Sequence, residues 1–310
     1  MKKLLLIDAN SLIHRSFHAL PPLTTPKGEP INAVYGLSSV LLKILREHNP
    51  DYVAAAFDRP EPTFRDEIFK EYKAHRPPTA HELVSQLQKA HETFEKFGIK
   101  VVEKSGFEAD DIVGTLAEKF KGSPSTGSGT NNYSLSEARH STVPGEVEEL
   151  QIIIFSGDKD NLQLVDDDKV VVELLKTGVS KTVTYDKAFF LQQYGFAPEQ
   201  LVDYKALVGD VSDNIPGVTG IGPKGATDLI KEYGSVEKIY EEVGLIPKEV
   251  LRKKLEAGRE NAYLSKKLAA IKRDVPLEIT LDDLRQETLN KEELKKYFDE
   301  LGFKSLTERL

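Results

Sequence analysis

Five short apolar runs punctuate the chain before Tyr185: Lys3–Ile7, Tyr52–Phe57, Ile99–Val102, Gln151–Phe155 and Val170–Leu174. They are continuous rather than alternating and end in an acid or a turn, the pattern of parallel strands buried on both faces. Between them, Ala33–Glu47, Pro62–Tyr72, His81–Phe97 and Glu108–Lys121 carry apolar positions at helical spacing. Strand and helix alternating in this way predict an α/β domain over residues 1–185, with a central, mostly parallel sheet flanked by helices.

Beyond Tyr185 the strand signals stop. Asp186–Tyr194, Pro198–Val208, Lys224–Tyr233, Val236–Val243, Lys248–Ala257 and Arg259–Ile271 read as short helices, so residues 186–310 are expected to form a helical second region. One stretch fits neither texture. Gly122–Glu149 is rich in Gly, Ser, Thr and Asn and lacks apolar periodicity, which predicts a disordered, low-complexity insertion within the first domain. No internal repeat is visible.

Composition adds exclusions. With 39% hydrophobic and 30% charged residues the chain is too apolar to be disordered. No apolar run approaches the roughly 20 residues of a membrane span. The absence of Cys excludes disulfides, zinc–thiolate sites and thiol catalysis, and agrees with a cytoplasmic protein. A net charge of -8 argues at first against nucleic acid as a partner.

The placement of the acids changes that picture. Asp8 closes the first run, Asp58 the second, and Asp158 and Asp160 follow the fourth. In an open parallel sheet the carboxyl ends of the strands line one crevice in which ligands bind. Glu108, Asp110 and Asp111 open a predicted helix that can face the same crevice, and Asp210 and Asp213 lie in the turn-forming segment GDVSDN. Capping or turn chemistry explains any one of these. All nine on one sheet edge would repel each other by several kcal/mol without counterions. Hard divalent cations answer that need, and Mg²⁺ suits a few carboxylates together with water and substrate phosphate. Zinc does not fit, because there is no Cys and no His pair at ligand spacing.

Phosphate-binding signals accompany the acids. Asn214–Leu229 (NIPGVTGIGPKGATDL) reads as a helix-hairpin-helix. Its Gly217, Gly220 and Gly222 permit a tight turn, Ile221 and Ala226 anchor it, and Lys224 opens the next helix. Backbone N–H groups at such a helix start bind phosphate whatever the base sequence. Pro247–Arg273 adds nine Lys or Arg against three Glu, Lys253 and Lys254 among them, a stripe able to track a duplex backbone. In Thr63–Pro78, Arg65, Phe69, Tyr72 and Arg76 share one face of the expected helix. Cations interleaved with aromatics suit single-stranded nucleic acid.

Five segments carry these signals in order: Leu5–Pro30, Phe57–Pro78, Phe107–Phe120, Gly157–Val165 and Gly209–Ala226. Together they resemble the 5′ nuclease (5′-3′ exonuclease) domain of bacterial DNA polymerase I, within the flap endonuclease superfamily. The resemblance implies a PIN-like nuclease core followed by a helix-hairpin-helix domain. It implies hydrolysis of DNA at 5′ flaps and 5′ ends by two-metal catalysis with Mg²⁺ or Mn²⁺. It assigns Asp8, Asp58, Glu108 and Asp110 to a first metal, and Asp111, Asp158, Asp160 and Asp213, with Asp210 close by, to a second. Lys73 and Arg76 correspond to arch cations, Arg15 and Arg65 to further active-site cations, and His14 to a residue that stacks on a base. Gly217–Ala226 corresponds to the duplex-binding element, which often holds K⁺ on backbone oxygens. The implied partners are flap, nicked or gapped DNA and RNA–DNA primers, met by a monomer that is either free or attached to a polymerase module. His14, Arg59 and Asn161 depart from the usual residues at their positions. A carboxylate-rich ribonuclease and a non-catalytic DNA-structure binder each share part of this pattern.

Overall fold

The computed structural model describes residues 1–122, 149–167 and 169–310, so the expected insertion lies, apart from its two end residues, outside the described residues. Every expected strand forms: β1 (Lys2–Asp8), β2 (Tyr52–Phe57), β3 (Lys100–Glu103), β4 (Leu150–Ser156) and β5 (Val170–Thr177). A sixth, β6 (Lys181–Tyr185), escapes the hydropathy pattern because its residues alternate over a short edge strand. The strand order is β3-β2-β1-β4-β5-β6, with β6 alone antiparallel to its neighbour. Chain order therefore reverses at β1, which lies between β2 and β4. A crevice opens beyond the carboxyl ends of those strands.

Side-chain alternation assigns each strand residue to one of two cores. Leu4, Leu6, Ala54, Ala56, Ile152 and Ile154 face a cluster that includes Ile112 and Leu116 of helix α5. Leu5, Ile7, Val53, Ala55 and Phe155 face the opposite cluster, with Leu12, Leu37 and Phe94. The helices of the first region are α1 (Ala9–Ala19), α2 (Asn32–His48), α3 (Phe64–Ile68), α4 (His81–Lys96) and α5 (Ala109–Phe120). Of these, α5 starts at the acid-bearing edge of the sheet and runs back to the opposite edge, where β4 begins.

The second region supplies α6 (Lys187–Tyr194), α7 (Leu201–Val208), α8 (Pro223–Tyr233), α9 (Val236–Glu241), α10 (Glu249–Ala257) and α11 (Arg259–Ala269). Leu207, Leu229 and Ile239 from these helices belong to the same buried cluster as Leu4 and Ile152. Burial of apolar side chains, each contributing roughly 1.5–3 kcal/mol, thus fixes the helical region onto the sheet.

Two expectations need correction. The helix expected over Pro62–Tyr72 stops at Ile68. Thr63 and Asp66 form its capping box, but Lys73 takes a left-handed conformation with φ +55° and donates its N–H to Asp213 O at 2.9 Å. That tertiary bond overrides the local pattern, so Arg65, Phe69, Tyr72 and Arg76 share no helical face. The span 186–310 is also not one helical unit. Gln286 N donates to Asp51 O at 2.9 Å, and the last helices, α12 (Lys291–Leu301) and α13 (Lys304–Thr307), return to the first domain. There Leu294, Phe298 and Leu306 complete the core behind Leu5 and Ile7.

Candidate active site

Asp8 ends β1 and caps α1, accepting from Ser11 N at 3.1 Å and from Ser156 Oγ at 2.6 Å. It is 3% exposed. Burial, reinforced by the charge of Asp158, pushes its carboxyl up to about 6 despite these hydrogen bonds. Asp58, just past β2, accepts from Ala109 N at 2.6 Å and so meets the positive end of α5. From the first turn of α5, Asp110 accepts from Asn161 Nδ2 at 2.7 Å. Burial and the charges of Asp8, Asp158 and Asp160 raise Asp110 well above the usual carboxylate range. Asp158 follows β4 and holds the next turn by accepting from Asp160 N at 2.9 Å. Four strand-end and helix-start carboxylates thus stand together, and none is paired with a Lys or Arg within 4.0 Å among the described residues.

The remaining acids of the crevice have cationic partners. Glu108 receives Lys73 Nζ at 2.7 Å, and Asp213 receives Arg76 Nη2 at 2.5 Å. Asp160 and Asp210 share Lys205 Nζ, which lies 2.8 Å from Asp210 Oδ2. Burial and Asp158 carry Asp160 up to about 6 against the pull of Lys205. For Asp210 burial acts in the same upward direction, but hydrogen bonds from Lys205 and Ser212 overcome it and hold the group below its ordinary value. Burial disfavours the Lys73 ammonium, yet Glu108 and Asp213 outweigh it and raise the group.

Lys205 is a residue the sequence reading missed. It lies on α7 in the segment DYKALVGD, which has no motif of its own, and its partner Asp160 is 45 residues away. Spacing carries no trace of such a contact.

Asp111 and Arg65 are the clearest correction. The expected metal ligand Asp111 is fully buried and accepts both guanidinium nitrogens of the expected active-site cation Arg65, at 2.7 and 2.9 Å. Its oxygens also accept from Glu108 N at 3.1 Å and Lys272 N at 2.8 Å. Arg65 is 2% exposed, donates also to Leu268 O and Ala270 O, both at 2.9 Å, and turns Nη1 towards Glu108 Oε2 at 3.5 Å. Asp111 thus accepts four hydrogen bonds, its full capacity, and Arg65 is enclosed by protein oxygens. Successive residues of a helix point about 100° apart, so Asp110 faces the crevice while Asp111 faces the core. The sequence held one signal for this: Asp111 stands three residues after the N-cap Glu108, the return position of a capping box.

Other expected site residues are distributed around this centre. Tyr72 is buried, not a stacking surface, and its hydroxyl donates towards Glu108 at 3.3 Å and Asp213 at 3.4 Å. Arg15 donates to Gly157 O at 3.2 Å beside the carboxylates. His14 is half-buried on the wall of a groove of about 890 Å³ that also contains Asp58 and Arg76. Burial, followed by His18, lowers its imidazole from the ordinary value. Arg59 turns outward to Glu61 and Glu103.

The hairpin between α7 and α8 has the expected form. Gly217 (φ +61°) and Gly209 (φ +77°) bring two backbone segments into contact, and a Cβ on either would overlap the other segment. Ile221 and Ala226 are buried as anchors, whereas Gly220, Gly222 and Lys224 are exposed at the start of α8. Lys254 folds over the turn and donates to Gly220 O at 3.0 Å, while Lys253 stays exposed and pairs with Glu249.

The donor set suits a hard divalent cation: oxygen ligands only, with Asp8 and Asp110 raised by burial and mutual repulsion and lacking a counter-charge. Among the described residues, however, no three His, Asp or Glu side chains form a ready-made ion cage.

A sheet whose switch point is lined with carboxylates, closed on one side by a helix-hairpin-helix, defines the PIN-like, resolvase-like class of nuclease folds. Residues 3–127 match the 5′-3′ exonuclease N-terminal resolvase-like domain and residues 196–292 the 5′-3′ exonuclease C-terminal SAM fold. A 5′-3′ exonuclease of Aquifex aeolicus is 35% identical over 99% of this chain and 94% of its own length. DNA polymerase I of Caldicellulosiruptor bescii is 43% identical over 99% of this chain and 33% of its own length. The chain belongs to the 5′-3′ exonuclease family. It spans about a third of the length of the DNA polymerase I relatives it matches. In fold it is similar to T5 5′-exonuclease solved with divalent metal ions (zinc), with TM-score 0.64, 23% identity, and 86% and 89% of the two chains covered. It is likewise similar to the catalytic core of Rad2 in complex with DNA substrate, with TM-score 0.59, 16% identity, and 100% and 91% covered.

Proposed function

We propose that this chain is a divalent-metal-dependent 5′ nuclease that hydrolyses DNA phosphodiester bonds at 5′ ends and 5′ flaps in replication and repair. One observation carries the reading: four carboxylates at the sheet switch point, with no Lys or Arg partner among the described residues, beside a hairpin whose exposed helix start suits a phosphate backbone. Asp8, Asp58, Asp110 and Asp158 would hold a first Mg²⁺ or Mn²⁺, and Asp160, Asp210 and Asp213 are the oxygen donors available to a second. The chemistry such ions supply when bound is a lowered pKa for the attacking water and neutralisation of the leaving 3′ oxygen.

The protein's own groups do the rest. Lys73 and Arg76 stand at the crevice mouth on carboxylates they can exchange for phosphoryl oxygens, where preorganised positive charge stabilises the transition state. Exposed N–H groups at the start of α8 and the Lys224 side chain hold the duplex by its backbone. The turn's carbonyls are the donors a K⁺ ion would use, one of them already bonded to Lys254. The groove beside His14 leads away from Asp58 and is roomy enough for an unpaired strand. Cytoplasmic DNA, as flap, nicked or gapped duplex or primer end, is the substrate, presented either to this chain alone or to a longer polymerase that contains it.

Cleavage of a 5′-labelled double-flap DNA, with Mg²⁺ and with EDTA, tests the reading. Metal-dependent release of short 5′ products that Asp158→Asn abolishes, with flap binding retained, is the expected result. Full activity in EDTA or in that variant refutes it.

A further inference from the structure

The crevice is electrostatically lopsided. Around the carboxyl ends of β2, β1 and β4, Asp8, Asp58, Asp110 and Asp158 have no Lys or Arg partner among the described residues, whereas the far end holds a protein cation of its own. Lys205 Nζ bridges Asp160 and Asp210, with its side chain only 14% exposed. The other cation at this end, Arg76 on Asp213, is half exposed, whereas Lys205 is largely enclosed. It lies between its own helix α7 and the turn Lys159–Leu164; Asp160 comes from that turn and Asp210 from the loop that follows α7. A second divalent ion would need the oxygens this ammonium already occupies.

We propose that Lys205 is the resident counter-cation of the Asp160–Asp210 end, and that it sets how weakly a second divalent cation binds there. The inference rests on the metal-dependent reading above. It divides the site into one position filled readily and one that must compete with an ammonium ion. A unit positive charge a few ångströms from a cation, in a partly buried setting, weakens binding by tenfold or more on the order-of-magnitude Coulomb scale. Lys205 acts through Asp160 and Asp210 and is thus a positioning residue for the reaction, not a catalytic one.

The test is a titration of the metal-free full chain with Mn²⁺ in the absence of DNA, with free Mn²⁺ counted by electron paramagnetic resonance. Wild type is expected to bind one ion tightly and a second more weakly. Lys205→Met keeps the length of the side chain without its charge, and should tighten the weaker class about tenfold while leaving the tight class unchanged. Lys205→Arg, which keeps the charge, should follow wild type. Should Lys205→Met lose its native circular dichroism, Lys205→Gln is read in its place. A neutral variant whose isotherm superimposes on that of wild type overturns the inference and leaves the nuclease reading standing. So does an arginine variant that behaves like the neutral one. Failure of wild type to bind Mn²⁺ at all overturns both.

Discussion

Replacing Arg65 by Met deletes a guanidinium while keeping most of the side-chain volume. Four hydrogen bonds disappear: two to Asp111 and one each to Leu268 O and Ala270 O. Asp111, fully buried, is then left ionised with only the N–H groups of Glu108 and Lys272. Breaking a buried ion pair from one side costs about 3–5 kcal/mol, because the surviving charge stays desolvated. For a chain of this size that lowers Tm by roughly 10 °C. The double variant Arg65→Met/Asp111→Leu should recover most of the loss, since two apolar groups of similar volume leave no charge behind. Thermal unfolding of wild type, both single variants and the double variant measures the coupling. Cleavage assayed well below every Tm then separates structure from catalysis. Asp111→Asn is expected to cleave within a few-fold of wild type once folded, unlike Asp158→Asn. An Asp111→Asn protein with wild-type Tm and abolished cleavage would refute the reasoning and return Asp111 to the metal site.

Three further outcomes follow from the same geometry. Burial lifts the Asp8 carboxyl from its ordinary range to about 6, so the folded state binds its proton more tightly than the unfolded state. Its stabilising share is complete below about pH 4 and is lost as pH rises through 6, up to roughly 3 kcal/mol. Tm measured in EDTA should therefore fall less steeply between pH 4.5 and 7 in Asp8→Asn than in wild type; parallel profiles would contradict the assignment. Gly217→Ala forces a Cβ against the Val208–Gly209 backbone at a positive φ, and should cost at least about 1–2 kcal/mol together with duplex affinity. Gly222→Ala meets nothing within 4 Å and serves as its control for stability, read by urea unfolding. Lys224→Ala should reduce the slope of log K against log salt for duplex binding by about one, and an unchanged slope would remove Lys224 from the phosphate contacts.

The five parallel strands were legible because burial on both faces demands unbroken apolar runs, and the acids after them were legible because strand ends are easy to locate. The hairpin was legible through its glycines. What failed was whatever depends on which residues meet across the fold. Helix α1 was overlooked because Asn10, Ser11 and His14 interrupt its apolar spacing, although Asp8 caps it. The turn at Lys73 is imposed by a carbonyl 140 residues away. Pairing decided the roles of the acids: Asp110 and Asp111 are adjacent and chemically identical, yet one faces a crevice of like charges and the other an arginine. The acid count could be read from the chain, but not the ownership of each acid.

The course of α5 has one more consequence. It begins among the carboxylates and ends at the far edge of the sheet, where the chain re-enters at Leu150 to form β4. Seven residues of β4, roughly 23 Å of extended chain, then separate that entry point from Ser156 at the acid edge. Gly122 and Glu149, the described residues on either side of the break between α5 and β4, therefore both lie on the side of the sheet remote from the chemistry. For an experimenter these two ends are a service entrance: a fluorophore or an affinity tag attached at Gly122 or Glu149 enters on the side away from the carboxylates.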